Sequence, residues 1–133
     1  MTPRSADAVV AALAEAAYGV VAGQVEDVAG SRDVPFVYAH KTADLFVAAA
    51  VMGGFAGGGS DYDIRRLRTF AFNLDMAFQY QDDILDGDSP YGEEKTAALA
   101  KEATDAALAA LAGLPGDTTP LSCIASGLLN RRV

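Results

Sequence analysis

Cysteine and histidine each occur once in the 133 residues, and basic side chains are scarce. The lone Cys123 excludes an intrachain disulfide framework and fits a reducing compartment. Ten Lys plus Arg stand against 18 Asp plus Glu, a formal charge of -8. Arg65, Arg66, Arg68, Arg131 and Arg132 form no stripe long enough to track a phosphate backbone, so nucleic acid is not an expected partner. No uninterrupted apolar run reaches about 18 residues, and on that count no membrane span is expected. The apolar start MTPRSADAVVAALAEAAYGVV is interrupted by Asp7 and Glu15 and is read as mature, cytoplasmic protein rather than a signal peptide. Alternating strand patterns with hairpin turns are missing, as are a Ser/His/Asp set, a CxxC pair and a glycine-rich phosphate loop. His40, without a histidine partner, suits a structural place better than a catalytic one.

What remains is helical, in a length that suits a single domain over residues 1–133, and the 51% hydrophobic content is ample for a packed core. Residues 5–29 are rich in Ala, which loses no side-chain entropy in a helix, and Gly30 ends the stretch. Asp33, with Pro35 in the tolerant first turn, starts a second helix to about Phe55, and the glycines between Gly53 and Gly59 read as a turn. Ser60 and Asp63 form a capping box for a long third helix whose Ile64, Leu67, Ala71, Leu74, Phe78, Gln81 and Leu85 recur at helical steps up to Gly87. Ser89-Pro90 opens a fourth helix carrying Leu99, Ala103, Ala107 and Leu111, and Thr119-Pro120 opens a short fifth. The expected fold is an all-α bundle of about five helices.

On the third helix Asp75, Gln79, Asp82 and Asp86 follow at steps of four, three and four, so they share a stripe, with Asp83 rotated by about 100°. At a helix C-terminus these charges oppose the dipole and one another, at a cost on the order of 2 kcal/mol. An acidic cluster is ordinarily a solvated face. Here no basic residue interrupts it, and its side chains are short and rigid. A divalent hard cation would remove the penalty. Mg²⁺ in particular takes one or two carboxylates and completes its shell with water and phosphate oxygens. Lys41 beside Thr42 is then either a phosphate ligand or a surface lysine snorkelling past its apolar neighbours.

Three blocks, GQVEDV at 23–28, KTADLF at 41–46 and FQYQDDILD at 78–86, make the chain resemble the C-terminal half of the trans-isoprenyl diphosphate synthases, the polyprenyl synthetase family. They look like its GQxxD, KT and second aspartate-rich elements, in the family's order. EEKTAALAKEATDAALAAL looks like a helix near that family's C-terminus. The resemblance implies half of the isoprenoid synthase fold. It implies Mg²⁺ held by Asp82 and Asp83 with Asp86 in support, and an allylic prenyl diphosphate contacted by Lys41, Thr42 and Gln79, with Gln24 lining the same cavity. Asp82, Asp83 and Lys41 would be the catalytic residues. They would promote ionisation of the allylic diphosphate and attack by isopentenyl diphosphate, a step of isoprenoid biosynthesis that needs no protein nucleophile. A full synthase adds a first aspartate-rich motif and basic residues for isopentenyl diphosphate. The family's lysine-containing loop is replaced here by GDSPYG at 87–92, and Asp75 stands where the family usually has glycine. The expected activity is prenyl transfer once a second copy, as a homodimer, or an N-terminal-half partner completes the cavity. The alternative is a non-catalytic prenyl-diphosphate-binding subunit or degenerate paralogue.

Overall fold

A computed structural model describes residues 2–130. Helix α1 (Pro3–Val28) starts where the Thr2 hydroxyl accepts from the Ser5 amide at 3.2 Å, with proline in the first turn where no amide is needed. Gly30 then takes φ 70°, a left-handed position that glycine reaches without a Cβ clash. Asp33 caps α2 (Val34–Tyr38) by accepting from the Phe36 amide at 3.1 Å. The chain then passes, without leaving helical dihedrals, through a π turn (Ala39–Ala43) into α3 (Asp44–Ala56). The expected second helix is therefore one rod with a π insertion, and Gly53 and Gly54 belong to it. Only residues from Gly57 onward form the turn.

Helix α4 (Asp61–Asp86) opens with the full Ser60/Asp63 capping box and closes on Gly87 at φ 71°. Helix α5 (Glu93–Ala112) begins later than Ser89-Pro90 suggests. The Ser89 hydroxyl is engaged with Thr96 and with the Gly92 carbonyl, and Gly92 at φ 84° keeps residues 89–92 a separate turn. Helix α6 (Thr119–Leu129) completes the chain. No strand occurs among the described residues. Arg131 and Arg132 lie outside them.

Neighbours in space run α1, α3, α4, α5, with α6 across α4 and α5. The main core joins Phe70, Ala71 and Leu74 of α4 to Ala107, Ala110 and Leu111 of α5 and Ala125 of α6. A second cluster, Met76, Ala77, Tyr80 and Ala103, lies toward the C-terminal end of α4 and packs against Tyr38 and Tyr91. Each large side chain so buried contributes about 1.5–3 kcal/mol, which pins the direction of α4 on both sides.

Helix α1 is different. Its inner face is small, with Ala16, Gly19 and Gly23 buried against α3 and the π turn. Its outer face leaves Val10, Leu13, Tyr18, Val21, Val25 and Val28 exposed. By length and composition Arg4–Val28, 25 residues with a window mean hydropathy of 1.6, would suffice to cross a membrane. Length and composition alone do not overturn the expectation of no span drawn from uninterrupted apolar runs, since Asp7, Glu15, Glu26 and Asp27 interrupt this helix.

Candidate functional site

The last turns of α4 face the junction of α2 and the π turn across a recess of about 240 Å³. Tyr38, Lys41 and Thr42 line one side, Gln79, Asp82 and Asp83 the other, and Asp27 from the end of α1 closes it. The approach of α1 depends on Gly23. A Cβ there would stand 2.5 Å from the Lys41 amide nitrogen and 2.7 Å from the His40 carbonyl carbon, and backbone atoms cannot swing aside. Asp27, four residues on and so on the same face, meets Lys41 with Nζ to Oδ2 at 2.7 Å. Both side chains are more than a third exposed, which makes this a weak tie energetically and leaves Lys41 within reach of solvent.

Hydrogen bonds knit the two walls together. Gln79 donates to the Tyr38 carbonyl at 3.0 Å and to Asp75 Oδ2 at 2.5 Å, and the Thr42 hydroxyl donates to that same oxygen at 2.9 Å. Asp75 is fully buried, and its other oxygen, Oδ1, has no hydrogen-bond partner. Burial pushes its carboxyl above the ordinary carboxylate range, against the pull of the Thr42 and Gln79 bonds. The Tyr38 hydroxyl donates to Asp83. Burial also raises Asp83; the Tyr38 bond opposes that, and the neighbouring charges of Asp82, Asp86 and Asp88 add to it. Tyr38 itself is held far above the usual phenol range, first by burial and then by Asp83. Asp83 thus sits where a further negative charge is unwelcome and a cation would be favoured.

Of the residues singled out in the sequence, Lys41, Thr42, Gln79, Asp82 and Asp83 meet in this recess. Asp86 does not line it and lies exposed on the final turn of α4. Gln24 is not brought there either. One residue past Gly23, it is rotated by about 100° onto the exposed outer face of α1, beside Val21 and Val25. Among the polar residues of the recess, sequence reasoning misses Asp27 and Tyr38. Asp27 could have been found as the acid ending GQVED, in phase with Gly23. Tyr38 carries no mark that separates it from a core aromatic. His40 faces away, its Nδ1 2.7 Å from Asp44 Oδ2 and its ring tilted against Phe36 with centroids 4.5 Å apart, in a second cavity of about 420 Å³ between α1 and α3.

Among the described residues no three His, Cys, Asp or Glu side chains converge as a metal-ligand set. The recess is therefore no closed cage. The donor chemistry still fits Mg²⁺, which needs only one or two carboxylates when phosphate and water supply the rest, and the adjacent Asp82 and Asp83 beside Lys41 and Thr42 are such a set.

A helical bundle in this order, with an aspartate-bearing helix end facing a Lys-Thr turn, has the isoprenoid synthase fold. A crystal structure of an FPP/GFPP synthase from Zymomonas mobilis superposes with a TM-score of 0.82 at 29% identity, covering 96% of this chain and 52% of that one. The polyprenyl synthetase family model matches residues 2–112, and the chain belongs to that family. Geranylgeranyl pyrophosphate synthase 10, mitochondrial, of Arabidopsis thaliana is 44% identical over 84 residues, 56% of this chain and 24% of that protein. The large subunit 1 of the chloroplastic heterodimeric geranylgeranyl pyrophosphate synthase of the same plant is 47% identical over 77 residues, 51% of this chain and 21% of that protein. The chain thus spans about a quarter of the curated relatives it matches and about half of the solved synthase.

Proposed function

We propose that the recess binds the diphosphate of an allylic prenyl substrate together with Mg²⁺, and that the chain forms one half of a trans-prenyltransferase cavity. The observation that carries this is the meeting of Lys41 and Thr42 with Gln79, Asp82 and Asp83, nearly forty residues apart in sequence, in one recess. Held by Asp82 and Asp83, Mg²⁺ would supply charge neutralisation for the departing diphosphate. The chain's own residues do the rest. Lys41 sets a point charge against the phosphate oxygens, Gln79 and Thr42 offer neutral donors, and Tyr38 orients Asp83 through its hydroxyl. Asp86 stands outside this arrangement as a supporting charge.

Prenyl transfer to isopentenyl diphosphate, as the names of the relatives suggest, would need a second wall. Support for a covering partner comes from the exposed apolar residues that recur along α1, Val10, Leu13, Tyr18, Val21, Val25 and Val28. A second copy, or a chain carrying the other half of the cavity, would fill that place, in a cytoplasmic setting. Light scattering that finds only monomer at micromolar concentration removes the second-copy version. One observation favours the non-catalytic alternative: Asp75 already occupies donors that the substrate would need.

Thermal melting tests the binding itself. Mg²⁺ with pyrophosphate should raise Tm more than either alone, because each completes the ligand shell of the other, and Asp82→Ala should abolish the rise. An unchanged wild-type Tm at saturating concentrations of both would sink the assignment.

A further inference from the structure

We infer that Asp75 is an internal competitor for the substrate's diphosphate: its carboxylate holds the Thr42 hydroxyl and the Gln79 amide, and an incoming diphosphate binds only by displacing it. The inference rests on reading the recess as a diphosphate site and adds the residue that sets its affinity.

The geometry is unusual for a group whose task is to stabilise the fold. Buried carboxylates in native proteins normally have both oxygens satisfied. Asp75 uses one oxygen, Oδ2, for two donors, at 2.9 Å from Thr42 and 2.5 Å from Gln79, and leaves Oδ1 buried without a partner. Both donors are half-buried residues that line the recess, whereas Asp75 lies behind them, fully buried. Two of the neutral donors of the recess are therefore turned inward, onto an anion the chain carries itself. Lys41 is turned aside too, onto Asp27 at 2.7 Å. The donors suited to an anionic ligand are thus all engaged by carboxylates, and one of those carboxylates belongs to the core rather than the surface. A doubly or triply charged diphosphate brings several acceptor oxygens to the same two donors, against the single oxygen that Asp75 offers them.

Two variants separate this role from a structural one. Asp75→Asn keeps the shape and removes the charge, and Asp75→Ala removes the acceptor altogether. Calorimetric titration of the full chain with pyrophosphate at saturating Mg²⁺ should show both variants binding about tenfold tighter than wild type, the order of one charge-assisted hydrogen bond exchanged for a neutral one. A merely structural Asp75 would move the affinity down, or not at all. Wild type that binds while folded variants bind no tighter overturns the competitor role and leaves the site reading intact. Binding by the variants alone supports it. Absence of binding in all three proteins overturns the site reading and this inference with it. Loss of the helical far-ultraviolet signal in both variants assigns Asp75 to the fold and likewise overturns the inference.

Discussion

Replacing Gly23 by alanine should destabilise the chain, although the same change ordinarily strengthens a helix. Alanine is favoured over glycine in a helix interior by about 1 kcal/mol. Against that stands the closeness of α1 to the π turn. The added methyl would lie 2.5 Å from the Lys41 nitrogen, 2.7 Å from the His40 carbonyl carbon and 2.9 Å from the His40 Cβ. Relief requires α1 to retreat or the turn to deform, and overpacking of this kind costs typically about 1–3 kcal/mol, toward the upper end where backbone blocks the way. The net expectation is a loss of about 1–2 kcal/mol, a fall in Tm of roughly 3–8 °C for a chain of this size. Gly53 supplies the control. It also lies within a helix, and nothing stands within 4 Å of the place a Cβ would take there. Gly53→Ala should therefore gain up to about 1 kcal/mol by the same propensity. Urea denaturation of the two single variants, with m compared to wild type, reads both numbers. If Gly23→Ala is as stable as Gly53→Ala, α1 does not lie on the π turn as described, and the placing of Asp27 beside Lys41 falls with it.

Lys41→Ala should weaken pyrophosphate binding in calorimetry while costing at most about 1 kcal/mol of stability, since the half-exposed Asp27 pair is worth no more; equal affinity would make Lys41 a surface residue only. A pH effect follows from the raised Asp75 and Asp83 carboxyls. Their native pKa values lie above the ordinary 3.8, so at these two groups the native chain holds more protons than the unfolded one above that pH. The stability they contribute is full below about pH 3.8 and is lost as pH rises through the native values. Asp75→Asn should accordingly match wild type near the acid end and gain on it toward neutrality in denaturation curves taken without metal; a gap that is constant or narrows with pH contradicts the burial argument.

The long helices are legible in the sequence because their signals are local. Ser60 with Asp63, Asp33 ahead of Pro35, and Gly87 after an apolar stripe each name a helix end through the backbone groups they satisfy or the dihedral they allow. The recess is legible in part for the same reason: Asp75 and Gln79 share one side of α4 by spacing alone. What the sequence hides depends on packing between distant segments. Gln24 and Asp27 belong to one short block, yet only the contact at Gly23 decides which of them turns inward. The start of α5 falls later than its sequence suggests because Ser89-Pro90 does look like a cap and first turn, whereas Thr96 and the Gly92 carbonyl claim the serine. The π turn has no sequence signature, because the residues of AHKTA would serve equally in a regular helix.

That turn makes α2 and α3 two helical wheels joined out of phase. Regular helix advances about 100° per residue, so one surplus residue in a turn slips every later side chain by about that angle relative to the earlier ones. Tyr38 keeps its hold on Asp83 in one phase, while Thr42 meets Asp75 and Ala43 is sealed inside in the other. A chimera grafting α1 and α2 from one relative onto α3 and α4 from another must therefore preserve the residue count through 39–43, however well its hydrophobic pattern matches. Drop one residue there and the rod can still be a sound helix, but its two halves will read different partners.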